Sequence, residues 1–214
     1  MNKKDITVII CCAGMGTRLG IGSTKALADI CGTPLIIRQL EMLKDFDDVR
    51  IVVGYQAERV IDLVNCYRKD IMYAFNYDFA STGPAESLAK AMVHTRKYVV
   101  AIDGDLLTNP EDLIAFMNFP GECLGVSTPS SDEPVYVIMN ENQEAMGFSE
   151  ERNLWEWCGI AKIRADRLWL CKTHIFKMIE PILPIKTFPM RARDLDTPDD
   201  YVKLIEWFEQ GCVN

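Results

Sequence analysis

A glycine turn, two cations and two pairs of acids stand out from the 214 residues as groups that could do chemistry. Ala13-Gly14-Met15-Gly16-Thr17-Arg18-Leu19 follows directly on the apolar run Ile6–Cys12. Gly14 and Gly16 let the backbone come close to a ligand. Successive N–H groups in such a loop form a nest for phosphate oxygens. Arg18 adds a planar fork of donors suited to phosphate, and Lys25, in Ser23-Thr24-Lys25-Ala26-Leu27, adds a mobile cation. Two other phosphate loops do not fit. The dinucleotide fingerprint G-x-G-x-x-G leaves Gly20 out of register, and the second strand ends Val53-Gly54-Tyr55 without its acid. The P-loop pattern is not supplied by Gly22-Ser23-Thr24-Lys25.

The first acid pair lies in Ala101-Ile102-Asp103-Gly104-Asp105, at the carboxyl end of an apolar run. Charge there is costly unless a cation compensates it. The second pair lies in Arg193-Asp194-Leu195-Asp196-Thr197-Pro198. Brought together, Asp105 and Asp196 make a hard-oxygen site for Mg²⁺. Local sequence alone equally allows Asp196 or Thr197 as a helix N-cap, and Asp103 and Asp105 as turn carboxylates. It leaves open whether Asp103 or Asp194 assists a metal.

These residues need elements to position them. Apolar runs at Ile6–Cys12, Val49–Val53, Ile71–Phe75 and Tyr98–Ile102 predict strands, most of them buried on both faces. Helical spacing predicts helices over Pro34–Leu43, Ala57–Tyr67 and Pro84–His94, with a short one opening at Asn109-Pro110-Glu111-Asp112. Strand–helix alternation of this kind specifies an α/β fold, a mostly parallel sheet covered on both faces. Ligands of such sheets bind beyond the carboxyl ends of the strands, which points to the loops after Cys12 and Ile102.

The second half reads as antiparallel strands at Val135–Met139, Gln143–Phe148 and Leu154–Ile163, a small β flap laid over the sheet edge. A helix is expected over Ala165–Ile179, ended by Pro181, and an amphipathic one over Pro198–Glu209. Tyr136, Phe148, Trp155 and Trp157 cluster in the flap, as an aromatic cage for a quaternary ammonium or as its hydrophobic core. Asp132, Glu133 and Glu156 beside them suit a cationic or a hydroxyl-rich ligand.

Composition bounds the rest. A net charge of −8 argues against a broad basic surface for nucleic acid. No apolar stretch approaches the roughly 18 residues of a membrane span. Eight cysteines without a C-x-x-C pair read as free thiols in a reducing cytoplasm.

The order A-G-x-G-T-R-L, T-K-A-L with G-T-P-L-I, D-G-D, then D-x-D-T-P-D-D resembles the nucleotidyltransferase superfamily of sugar-phosphate and choline-phosphate nucleotidyltransferases, over nearly the whole chain. It is most similar to small bacterial phosphocholine cytidylyltransferases, through Asn76…Ser81-Thr82-Gly83…Ser87-Leu88 and the Ile-Asp-Gly-Asp block. The resemblance implies a Rossmann-like three-layer sandwich forming a single domain over 1–214, with 131–164 as an acceptor-side flap. It implies Mg²⁺-dependent transfer of a nucleoside monophosphate, CMP from CTP, to a small phosphorylated acceptor such as phosphocholine, with release of pyrophosphate. By motif match, Lys25 and Arg18 are catalytic. Ala13, Gly14, Met15, Gly16, Gly83 and Ser87 bind the nucleotide, Tyr136, Trp157 and Gly159 the acceptor, and Asp105 and Asp196 the metal. Cys12 stands where the family usually has alanine, and Gly83-Pro84 where choline-type enzymes carry an asparagine pair. A sugar-1-phosphate nucleotidyltransferase using UTP, dTTP or GTP shares the site, as does a non-catalytic nucleotide sensor. Either a monomer or a homodimer is compatible with the chain.

Overall fold

The computed structural model describes residues 2–131 and 133–212. The N-terminal half builds a parallel sheet from β1 (Ile6–Cys12), β4 (Val49–Val53), β5 (Ile71–Phe75) and β6 (Tyr98–Asp103). Between them run a ribbon of β2 (Asp29–Ile30) and β3 (Thr33–Pro34), then α1 (Leu35–Met42), α2 (Ala57–Tyr67) and α3 (Pro84–Lys90). β1 lies between β4 and β6, in parallel register with both. Its near-continuous apolar sequence fits a strand covered on both faces.

The C-terminal half contains β7 (Leu106–Thr108), α4 (Pro110–Asn118), β8 (Cys123–Ser127), β9 (Tyr136–Met139), β10 (Glu144–Ser149) and β11 (Glu156–Arg164). It ends with α5 (Ile175–Ile179), β12 (Ile185–Pro189), β13 (Ala192–Asp194) and α6 (Pro198–Glu209). Among the described residues one mixed nine-stranded sheet results, in the order β5-β4-β1-β6-β11-β8-β12-β10-β9. β11 runs antiparallel to β6 and β8 in its middle, so the expected flap strands are continuous with the sheet rather than laid over its edge.

Two apolar layers sandwich this sheet. Ile36 and Leu40 of α1, Val60 and Val64 of α2, and Leu113 and Phe116 of α4 pack with Ile6, Val8 and Ile10. Ala85 and Leu88 of α3 and Ile175 and Met178 of α5 pack with Ile9 and Val52. A third cluster seats Leu204 and Trp207 of α6 against Leu19, Leu35 and Leu195, next to the sequence-predicted cation Arg18. Among the described residues, no helix is long and apolar enough to cross a membrane.

Two helices differ from expectation. α3 stops at Lys90 rather than His94, because the guanidinium of buried Arg50 collects the carbonyls of Ala91, Val93 and His94 and His94 takes a left-handed φ of 53°. The expected helix over Ala165–Ile179 is a 3-10 turn at Ala165–Arg167, a loop over 168–174 and the short α5. Here the loop backbone serves α3: Gly83 N donates to Lys172 O (3.1 Å) and Ala85 N to Thr173 O (3.2 Å). That tertiary pairing overrides local helix propensity. Strands β7, β8, β12 and β13 had no counterpart in the periodicity; each is short or interrupted by Gly or Pro.

Candidate active site

A cleft of about 480 Å³ opens at the carboxyl ends of β1 and β6. Their parallel register sets Cys11 beside Asp103. The turn at Gly104 is drawn down onto β1, with Gly104 N donating to Cys11 O (3.0 Å).

Lys25 sits at the centre. Its Nζ donates to Asp105 Oδ2 at 2.8 Å and to Asp196 Oδ1. Arg18 bridges Asp196 Oδ1 (3.1 Å) and Glu133 Oε2 (3.0 Å). Gly16 stands behind the lysine stem: a Cβ at Gly16 would lie 3.0 Å from Lys25 Cγ, at a φ of +62°. Asp196 is free to face the cleft because it does not cap α6. Thr197 is the cap, its hydroxyl accepting from Asp200 N while Asp200 Oδ2 accepts from Thr197 N. The backbone delivers the acid, since β13 pairs with β7 and Leu195 N donates to Asp105 O at 3.1 Å.

Two carboxylates share one ammonium, and Asp103 and Asp194 line the same cleft. Burial pushes the Asp103 carboxyl well above its ordinary value, and the Asp105 charge pushes it further. Asp194 is raised for the same two reasons, burial first. Burial works against the Lys25 charge, but the Asp105 and Asp196 carboxylates outweigh it and raise the lysine above its ordinary value. Gly159 gives Asp103 its space: φ is +75° there, and a Cβ would lie 2.7 Å from Asp103 Oδ2.

Of the residues singled out in the sequence, Ala13, Gly14, Arg18, Lys25, Gly83, Ser87, Asp105, Trp157, Gly159 and Asp196 line this cleft. Met15, Gly16 and Tyr136 do not. Met15 is exposed. Tyr136 opens β9, where it pairs with Ser149 of β10 and Glu156 of β11. Trp155 packs into the core beneath α3 and α5, and Phe148 packs on Trp157 and Phe176 with centroids 5.7 and 5.3 Å apart. Asp132 lies outside the described residues. Glu156 is buried and accepts from Ser130 N and Oγ and from Ser131 Oγ, so it anchors a loop instead of facing a ligand.

The sequence reading missed Phe79, His174 and Phe176, which also line the cleft. His174 stacks on Phe176 at 5.3 Å. As one of two histidines it had a signal in composition; the two phenylalanines had none. Ser87 is held by buried Asn76, whose Nδ2 lies 3.0 Å from Ser87 Oγ and 2.9 Å from Thr82 Oγ1.

The arrangement can hold an anionic ligand on the glycine turn and cations, and a hard cation between Asp105 and Asp196. The Lys25 ammonium already occupies that position as a stand-in, so the donor set fits Mg²⁺. Among the described residues, no group of three or more His, Cys, Asp or Glu side chains is arranged as a metal cage; further ligands would be phosphate and water oxygens.

A three-layer α/β sandwich with its cleft beyond the parallel strand ends defines the class of nucleotide-binding α/β proteins. Within it, the chain belongs to the MobA-like NTP transferase domain family, whose profile matches residues 8–144. Bifunctional protein GlmU of Sulfurimonas denitrificans is 29% identical over 126 residues, 57% of this chain. The chain spans 28% of that relative's length. The structure of CTP:phosphocholine cytidylyltransferase from Streptococcus pneumoniae superposes with a TM-score of 0.79 at 19% identity, covering 95% of this chain and 99% of that one. Inositol-1-phosphate CTP transferase from T. maritima gives 0.78 at 16% identity and covers 98% of both chains. At these identities the likeness is one of fold.

Proposed function

We propose that the protein is a Mg²⁺-dependent nucleotidyltransferase that moves CMP from CTP to phosphocholine or a related phospho-alcohol, releasing pyrophosphate. The observation that carries this reading is the meeting of Asp105 and Asp196 on Lys25, facing the glycine turn across one cleft.

The reaction is an in-line displacement. An acceptor phosphate oxygen forms a bond to the α-phosphorus of CTP, the α–β bridging P–O bond breaks, and pyrophosphate leaves with its electron pair. The nucleophile is already anionic, so no protein base is needed. The chain contributes position and charge. N–H groups at Ala13 and Gly14 and the Arg18 guanidinium grip the triphosphate, while Lys25 neutralises charge building on the α-phosphoryl oxygens. Asp105 and Asp196 would hold Mg²⁺, which would supply Lewis-acid polarisation of the phosphates. Gly83 and Ser87 border the base and ribose.

The acceptor reading rests on the cleft walls. Phe79, Trp157 and Phe176 line it, and Glu133 adds a carboxylate beyond the Asp105–Asp196 pair. Aromatic faces with carboxylates behind them suit a cationic head group. CTP follows from the sequence resemblance to phosphocholine cytidylyltransferases carried by Asn76, Ser81, Thr82, Gly83 and Ser87.

Pyrophosphate release from CTP, UTP, dTTP and GTP, each paired with phosphocholine, phosphoethanolamine and several sugar 1-phosphates, tests the proposal. CTP with an amino-alcohol phosphate is expected to turn over fastest. Turnover confined to sugar 1-phosphates sinks the acceptor assignment; none with any pair sinks the enzyme.

A further inference from the structure

Gln39 is an amide in the middle of the apolar face of α1, between Ile36 and Leu40, and is 2% exposed. Its Nε2 donates to the carbonyls of Asp103 at 2.9 Å and Leu106 at 2.7 Å. Those two carbonyls bracket Gly104 and Asp105, the turn that carries the first cleft carboxylate. The other end of the amide, Oε1, is buried with no hydrogen-bond partner. Flipping the amide would aim Oε1 at two carbonyl oxygens, so the network fixes its sense. Packing alone asks for leucine or methionine at such a position. Here a polar side chain leaves one of its own atoms unpaired while tying both ends of a single turn.

The same turn is held from two other sides, by Gly104 N on Cys11 O and by Leu195 N on Asp105 O. Both of those ties are backbone to backbone. Gln39 is the side-chain member of the set, and it comes from the helix layer beneath the cleft.

We propose that Gln39 is a positioning residue for nucleotidyl transfer: a clamp on the Asp103–Leu106 turn that fixes the Asp105 carboxylate where it meets Lys25 and Asp196. It touches neither substrate nor metal. The inference rests on the metal-dependent reading of the cleft given above.

Gln39→Met keeps the side-chain volume and removes both donors. In the full chain it is expected to lower kcat by about tenfold and to raise the Mg²⁺ concentration for half-activation several-fold, with KM for CTP little changed. Independently of activity, hydrogen exchange at the amides of residues 104–106 should quicken by about tenfold, the scale of one lost hydrogen bond. Leu43→Ala is the control. Leu43 lines the same small void as Gln39 in the helix layer, so this variant loses packing while keeping the clamp. It should be less stable yet show ordinary Mg²⁺ activation and ordinary exchange at 104–106. The proposal is overturned by Gln39→Met with wild-type Mg²⁺ response and exchange, or by Leu43→Ala shifting both as far.

If Gln39→Met does not fold, the wild-type Gln39 side-chain NH₂ signals decide. Slow exchange and a shift on adding MgCl₂ with CTP support the clamp; exchange as fast as an exposed amide overturns it. Absence of pyrophosphate release from the wild type with every substrate pair would instead remove the functional reading and leave the exchange comparison intact.

Discussion

Replacing Lys25 with methionine tests the centre of the site, because it removes one charge and little else. The lysine side chain is 16% exposed, and its Nζ contacts both Asp105 and Asp196. Methionine keeps the stem that packs over Gly16, so the loop should hold. The two carboxylate oxygens share one ammonium, which places them no more than about 5 Å apart; at an effective dielectric of about 20 their bare repulsion is about 3 kcal/mol. In the variant that repulsion opposes folding until a divalent cation enters. The contribution to rate is separate: a preorganised electrostatic group of this kind is worth about 3–4 kcal/mol in the transition state, or about a hundred- to a thousand-fold. Two readouts therefore move in opposite directions. Pyrophosphate release at saturating CTP, phosphocholine and Mg²⁺ should give a kcat lower by that factor. The rise in Tm on adding MgCl₂ without nucleotide should be larger than in wild type. A kcat within tenfold of wild type, in a folded variant, refutes the role assigned to Lys25.

Asp105→Asn should lower kcat at least about a hundred-fold and weaken Mg²⁺ activation, with an unchanged circular dichroism spectrum. Gly159→Ala forces a side chain into a left-handed backbone and against Asp103. A loss of about 1–2 kcal/mol, or a Tm lower by about 2–8 °C, is expected in calorimetry. Lys162 supplies a pH test. It is fully buried and donates to the carbonyls of Phe116, Met117 and Phe119 at the end of α4, and burial lowers its pKa below the ordinary 10.5. The unfolded chain therefore holds this proton more tightly than the native one. Stability should rise with pH between the folded-state value and 10.5, and be flat below that window. The difference in urea stability between wild type and Lys162→Met should grow across alkaline pH by that rise, because the titrations common to both chains cancel.

The sequence made the parallel half of the fold legible because its strands are continuous apolar runs and its helices carry a single stripe. Val49–Val53 and Ala57–Tyr67 were read to the residue for that reason. The second half was harder. β8 contains Gly125 and β12 ends in Pro189, so neither shows a clean period, and each is specified by its neighbours in the sheet. The loop over 168–174 carries exposed Trp169 and Leu170, apolar residues that mimic a helical stripe while the backbone is engaged with α3. At the cleft, the glycine turn, cations and acids were visible because their types are rare at strand ends. Phe176 and Phe79 were not, since a phenylalanine that lines a cleft is written the same way as one that fills a core. Gln39 was hidden inside a helix whose apolar stripe explained the segment without it.

The convergence of the acids also shows what assembles the site. Asp103, Asp105, Asp194 and Asp196 repel one another, and the two most buried are pushed toward protonation by burial first and by that crowding second. Ion pairs of Asp196 with Lys25 and Arg18 offset part of that repulsion, but they do not set the register of the C-terminal segment. Backbone pairing does it: Ala192 lies opposite Thr108 and Asp194 opposite Leu106, while Leu195 and Leu204 bury their side chains with Leu19 and Leu35. Hydrophobic burial and ladder hydrogen bonds thus hold together a cluster that electrostatics alone would scatter. A cluster assembled against its own repulsion is poised for cations. Lys25 and Arg18 meet part of that demand in the free protein, and on the proposed reading Mg²⁺ relieves the remainder when the triphosphate engages both basic side chains. Replacing acids in the cluster should then separate two properties that usually fall together, raising stability in metal-free buffer while abolishing turnover.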